Sequence, residues 1–148
     1  MTQKHAQRAL NQYNRTAVQT GIEAASPHRL IQMLMEGALD KIAIARGHVE
    51  RGHIEQKSKH IGWAISIIGG LRSSLDMDAG GEIARNLEDL YDYMERRLTT
   101  ANVENSVDML DEVASLLKQI KEAWDAIGEQ VNATSSAPVA VTTTVAGG

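Results

Sequence analysis

Between Ser26 and Arg51 the apolar residues outnumber what one helix face can hold. At about 100° per residue, Leu30, Leu34, Ala38, Ala45 and Val49 form one stripe. Ile31, Met35 and Ile42 widen it to a broad arc. Met33, Leu39, Ala43 and Ile44 fall outside that arc. A helix at the edge of a small bundle shows one stripe of about 100° or a little more. Apolar surface beyond that need points to a groove that something else fills, which is binding rather than catalysis. The ends of the segment read as helix ends. Ser26 is a good N-cap, Pro27 follows at the first helical position where its missing N–H costs nothing, and Gly52 is placed to stop the helix.

The same periodicity predicts three more helices. The second spans about Ile54 to Leu75, with Ile61, Ala64, Ile65, Ile68, Leu71 and Leu75 as its stripe. Trp63 and Ile67 lie off that stripe. Gly69-Gly70 is unusual in a helix interior, where each glycine costs roughly 1 kcal/mol relative to alanine; close helix packing is the simplest reason for the pair. Asp76 to Gly81 reads as a turn. The third helix runs from about Gly81 to Ala101, with Ile83, Leu87, Leu90, Tyr91, Met94, Leu98 and Ala101 at spacings of three and four. The fourth opens at Asn105 or Ser106 and fades near Val131. Val113, Leu117, Ile120, Trp124 and Ile127 form its inner stripe. Short connections make neighbouring helices antiparallel. The expected fold is all-α, an antiparallel up-down four-helix bundle over residues 26–131. Residues 1–25 form an N-terminal arm with a weak helical pattern and Leu10 and Tyr13 as anchors. Residues 132–148 change abruptly to uncharged Ala, Thr, Ser, Val and Gly and read as a flexible tail.

Composition narrows the chemistry. The chain has 148 residues, no cysteine, no phenylalanine, two prolines and a formal charge of −4. That length suits one domain with its own core. Without cysteine there is neither a disulfide framework nor thiolate chemistry. The acidic balance argues against nucleic-acid binding, which favours a basic patch. No apolar run approaches the roughly 18 residues of a membrane span. Residues 1–10 lack the apolar core of a secretory signal, so the expected location is the cytosol.

Catalytic and metal-binding patterns are weak. Glu50-Arg51-Gly52-His53 has the Glu-x-x-His spacing of di-iron bundles, but it occurs once and Gly52 interrupts the helix between the ligands. His53 and His60 are seven residues apart and read as surface histidines. A histidine-phosphotransfer bundle would need one exposed histidine; His48 and His60 qualify by position but not by sequence context. These two bundle classes are the alternatives to a binding module. No Gly-rich phosphate loop or His-Glu-x-x-His occurs. No enzymatic activity, cofactor or metal is expected. The aromatic residues carry more information. Tyr91 and Tyr93 project about 200° apart on one helix, so Tyr93 cannot share the core stripe with Tyr91. Trp63 stands in the same relation to the second helix. Such rings either lie partly exposed with the polar tip in water or line a partner groove, where Tyr and Trp are enriched.

Several stretches together resemble a known family. They are Ala24-Ala25-Ser26-Pro27-His28-Arg29-Leu30-Ile31-Gln32-Met33-Leu34 with Glu36-Gly37-Ala38, and Gly80-Gly81-Glu82-Ile83-Ala84-Arg85-Asn86-Leu87. Leu90-Tyr91-Asp92-Tyr93-Met94, Arg96-Arg97-Leu98, Ala101-Asn102 and Glu122-Ala123-Trp124 follow in order. Over roughly residues 10–131 the chain resembles the flagellin export chaperones of the FliS type. The resemblance implies a cytoplasmic helical bundle that binds the helical C-terminal region of flagellin, prevents premature polymerisation and presents the client to the flagellar type III export gate. It implies no nucleic acid and no membrane insertion, and an N-terminal segment, matched here by Leu10 and Tyr13, that covers part of the client surface. Together with the periodicity it gives Leu10, Tyr13, Ile31, Met35, Leu39, Ile42, Trp63, Ile67 and Tyr93 as expected partner-binding residues, with Leu39 furthest from the core stripe. The expected free state is a monomer or weak homodimer.

Overall fold

The structure is a computed structural model and describes residues 25–136, with side chains through Gly128. Four helices follow one another: α1 (Pro27–Arg51), α2 (Ile54–Ser73), α3 (Met77–Glu104) and α4 (Val107–Ser136). No strand occurs among the described residues. Each helix packs on two others, α1 on α2 and α4, and α3 on α2 and α4, so the four close into a ring around one core. None is long and apolar enough to cross a membrane.

The core follows an alternation of three and four residues. Met35, Ala38, Ile42 and Ala45 are buried on α1; Ile61, Ala64, Ile68 and Leu71 on α2; Tyr91, Met94, Leu98 and Ala101 on α3; Leu110, Val113 and Leu117 on α4. This is the seam of a bundle whose apolar repeat averages 3.5 residues. It corrects the expectation for Ile42, which is 2% exposed and belongs to the seam; Met35, 1% exposed, is on the seam too, at the floor of a groove at one end of the bundle. An ideal helix drifts about 20° per heptad against a 3.5 repeat, so a fixed 100° plot pushes seam residues towards the rim of the arc. Ile67 is corrected as well: it is fully buried beside Ile68, and Gly69, Gly70 and Leu71 after it are buried too. This part of α2 is enclosed around its whole circumference, whereas the stripe predicted one buried face.

The helix ends were legible. Ser26 Oγ accepts a hydrogen bond from the Arg29 amide at 3.1 Å, with Pro27 in the first turn. Gly52 closes α1 in the left-handed region (φ 74°), letting the His53 amide bond back to the His48 carbonyl at 2.9 Å. Asn105 ends α3 at φ 53°, a conformation its short polar side chain tolerates. Ser106, not Asn105, caps α4, its Oγ accepting from the Met109 amide at 3.1 Å. α2 stops at Ser73, and α4 continues to Ser136, beyond the point where its pattern fades.

The expected turn from Asp76 to Gly81 takes a different form. Asp76 caps a helical turn, its Oδ1 accepting from the amides of Asp78 and Ala79. Gly81 then interrupts α3 at φ 56°, ψ −130°, a region open essentially to glycine alone. The chain re-enters the helix with Ala84 on the seam and Ile83 beside it, 72% exposed. The far end of α4 behaves similarly, with Ile127 48% exposed. Both isoleucines had been expected in the core.

Polar contacts tie helix ends together. The Arg46 guanidinium, late in α1, grips the Asp111 carboxylate, early in α4, at 2.8 and 3.3 Å. Lys57, only 5% exposed, donates to the Asn102 carbonyl and to Asn105 Oδ1, both at 2.7 Å. Its charge sits at the C-terminal end of α3, where the helix dipole favours a cation. Nothing in the sequence pattern marked Lys57 as buried.

Candidate functional site: an apolar groove at one end of the bundle

The end of the bundle that gathers the start of α1, the end of α2, the start of α3 and the later turns of α4 is not closed by the described residues. A groove of about 830 Å³ opens there. α1 contributes Leu30, Ile31, Leu34 and Met35; α2 contributes Leu71; the connection to α3 contributes Leu75. α3 contributes Ile83, Ala84, Leu87 and Tyr91, and α4 contributes Ile120, Trp124 and Ile127. The lining is almost wholly aliphatic and aromatic. It exists because the stripes of α3 and α4 continue past the level at which the ring is filled. Gly81 adds to it by breaking α3, so that Ala79, Gly80 and Ile83 line the groove with Asp76.

One wall is fixed by a reciprocal clasp between α1 and α4. The His28 ring stacks on Trp124 with centroids 4.7 Å apart and planes 5° from parallel. His28 Nε2 donates to the Trp124 carbonyl at 2.6 Å, and Trp124 Nε1 donates to the His28 carbonyl at 3.0 Å. Gly128 makes the clasp possible, because a Cβ at that position would run into the His28 ring. The α1–α4 contact continues as a charged strip. Arg29 pairs with Glu36 at 3.2 Å, and Lys121 lies 2.8 Å from Asp125 and 3.8 Å from Glu36. Gln32 donates to Asp125 at 2.6 Å. Hydrogen bonding to Lys121, then to Gln32, holds the Asp125 carboxyl below its ordinary range. Deeper in the groove, burial pushes the Tyr91 hydroxyl up to about 12.

Of the nine residues expected at a partner surface, Ile31 and Met35 line this groove, Ile31 half-buried and Met35 at its floor. Ile42 and Ile67 are inside the core. Leu39 is partly buried against the core and is not among the groove residues. Trp63 lies elsewhere, its ring 3.7 Å beneath the Lys41 ammonium. Tyr93 also lies elsewhere. Its hydroxyl donates to Glu112 Oε2 at 2.5 Å, while Arg97 donates to Glu112 Oε1 at 2.8 Å. Those two hydrogen bonds, that from Tyr93 first, lower the Glu112 carboxyl, and the same bond raises the Tyr93 hydroxyl. Leu10 and Tyr13 lie outside the described residues. The groove residues that the sequence pattern missed, Leu30, Ile83, Leu87, Ile120, Trp124 and Ile127, all sit on predicted core stripes. The signal for them was position: they occupy the stripe ends that face one end of the bundle.

Among the described residues no group of three or more His, Asp or Glu side chains could hold a metal ion. An open, preformed apolar groove with a charged edge can bind an apolar helix face.

The comparisons with known proteins agree with a binding protein. Residues 9–131 match the family model described as flagellar protein FliS. The chain is 49% identical over 123 residues to the flagellar secretion chaperone FliSB of Pseudomonas aeruginosa, covering 83% of this chain and 98% of that protein. It is 39% identical over 133 residues to the flagellar secretion chaperone FliS of Vibrio cholerae, covering 90% and 98%. It is 43% identical over 121 residues to the FliS of Salmonella typhimurium, covering 81% and 90%. These are chaperones and not enzymes, and with a family match that spans most of its length, the chain belongs to the FliS family of flagellar secretion chaperones.

Proposed function

We propose that this chain is a cytoplasmic export chaperone for flagellin, and that the groove between the ends of α1, α3 and α4 receives a helix of flagellin's C-terminal region. The observation that carries the proposal is the open apolar groove with Ile83 and Ile127 exposed on it. An amphipathic helix lays its apolar face into such a groove with anchors spaced three and four residues apart. Each anchored aliphatic side chain contributes roughly 1.5–3 kcal/mol before ordering costs. A disordered client terminus folds as it binds, which costs about 2–5 kcal/mol, so several anchors are needed together. With those segments held, flagellin cannot polymerise, and the complex is presented to the flagellar type III export gate. Leu10 and Tyr13 belong to an arm that covers part of the same surface and lowers apparent affinity by the fraction of time it is closed.

Purified full-length chain is mixed with flagellin and with flagellin lacking its C-terminal region, and the products are separated by size with light-scattering detection. A complex that forms with whole flagellin and not with the truncated form supports the proposal. Equal binding of the two forms would refute the assignment of the client segment.

A further inference from the structure

The groove holds one polar group that no described residue pairs. Besides Tyr91, its lining carries side-chain hydrogen-bonding atoms at His28, Ser74, Asp76 and Trp124. Each of those is committed within the chain. His28 Nε2 donates to the Trp124 carbonyl, and Trp124 Nε1 to the His28 carbonyl. Ser74 Oγ donates to the Leu71 carbonyl at 2.7 Å, and Asp76 Oδ1 accepts from the Asp78 and Ala79 amides.

Tyr91 differs. The residue is 2% exposed, and a tyrosine buried to that degree ordinarily finds a partner for its hydroxyl. Burial alone raises this hydroxyl; no hydrogen bond to a described residue contributes. Among the described residues no fully enclosed side-chain polar atom lacks a partner. The hydroxyl is therefore the edge of Tyr91 that reaches the groove, not an atom sealed in the core. Tyr93, two residues on, shows the contrast by donating its hydroxyl to Glu112.

While the groove is open, water serves the Tyr91 hydroxyl. An occupant that fills the groove expels that water, and an unpaired hydroxyl then costs its full desolvation. An occupant avoids the cost by bringing a partner. The backbone carbonyls of an occupant helix are engaged within that helix, so the partner is a side chain. It is also uncharged. No Lys or Arg lines the groove to balance a carboxylate, and Asp76 on the lining repels one. An ammonium or guanidinium would lose its water against walls that are almost wholly apolar.

We propose that Tyr91 is a specificity-determining residue of the groove: its hydroxyl selects a helix that carries one neutral hydrogen-bonding side chain, an amide or a hydroxyl, among its apolar anchors. The inference rests on the reading of the groove as the client site, and it adds register to that reading. Apolar anchors at spacings of three and four repeat along a helix, so they tolerate a shift by one turn. A single buried polar pair admits one alignment, as a polar residue at one seam position does in a coiled coil. A segment that lacks the polar group is disfavoured because the hydroxyl is then left unpaired.

The test is calorimetric titration of the full-length chain and its Tyr91→Phe variant with the flagellin C-terminal segment. Phenylalanine keeps the ring and removes only the hydroxyl. Tyr91→Phe is expected to bind about 5–100-fold more weakly, because the client side chain is left buried without its partner. Without client its melting temperature at neutral pH stays the same or rises, since the free chain loses no hydrogen bond. Alanine replacement of each neutral polar residue of the segment is expected to reveal one whose effect on the parent disappears against Tyr91→Phe. An unchanged Kd for folded Tyr91→Phe, with Ile83→Asp on the groove wall weakened, refutes the polar selection and leaves the groove as the client site. An unchanged Kd for both variants overturns the groove assignment as well. Weaker binding with no client residue coupled to Tyr91 refutes the side-chain partner. A lower melting temperature for Tyr91→Phe shows that the hydroxyl is already paired in the free chain and overturns the proposal.

Discussion

Ile83 is the position at which groove binding separates most cleanly from folding. It lines the groove and is 72% exposed in the free protein. Covering a fully exposed isoleucine yields roughly 1.5–3 kcal/mol. Scaled by its exposed fraction, a client that covers Ile83 gains about 1–2 kcal/mol there. At 1.4 kcal/mol per factor of ten, Ile83→Ala weakens client binding by about 5–30-fold. Ile83→Asp weakens it further, because a carboxylate must be desolvated against an apolar partner. Neither change removes a core side chain, so the folding free energy of either variant stays within about 0.5 kcal/mol of the parent. Met35→Asp is the contrasting variant. Met35 is 1% exposed, and an unpaired carboxylate there costs several kcal/mol and unfolds part of the bundle. The assay is calorimetric titration with the flagellin C-terminal segment, paired with thermal melting by circular dichroism. An unchanged Kd for folded Ile83→Asp would sink the groove assignment. A large loss of stability in Ile83→Ala would show that Ile83 acts as a core residue.

Gly81→Ala places a Cβ at φ 56°, ψ −130° and costs about 1–3 kcal/mol, read as a lower urea midpoint; an unchanged midpoint would mean that α3 runs through without this break. Tyr91 gives a pH signature. Its hydroxyl titrates near 10 when unfolded and about 12 when folded, so the unfolded chain releases that proton first as pH rises. Its contribution is full below pH 10 and is lost between pH 10 and about 12, by roughly 2–3 kcal/mol at about 1.4 kcal/mol per unit. Tyr91→Phe lacks that decline, and parallel alkaline curves for the two proteins would refute the burial argument.

The helical class, the number of helices and most of their ends were legible because they depend on neighbours in sequence. Ser26-Pro27, Gly52 and Ser106 act through hydrogen bonds that reach three to five residues. The apolar stripes repeat within each helix, so the seam of α2 from Ile61 to Leu71 emerged nearly complete. The division of α1 failed for a physical reason. Its apolar arc is wide, and which edge faces the core depends on a 3.5-residue seam shared with three other helices. Met35 and Ile42 therefore moved inward. Trp63 and Tyr93 stood apart from their stripes as expected, but the Lys41 ammonium covers the face of Trp63 and Glu112 takes the Tyr93 hydroxyl, both away from the groove.

The sequence by itself determined an all-α protein with a spare apolar surface involving α1, since both follow from periodicity and capping within single helices. Only the tertiary structure decided where that surface is. The groove is made by stripe ends from several helices, by the break at Gly81 and by the clasp of His28 on Trp124, 96 residues apart in the chain. A residue such as Ile83 has the same local pattern whether its stripe ends inside the core or beyond it. Burial is a property of the neighbours that the fold brings up, and at that end of the bundle the described residues leave the ends of the apolar stripes of α3 and α4 uncovered.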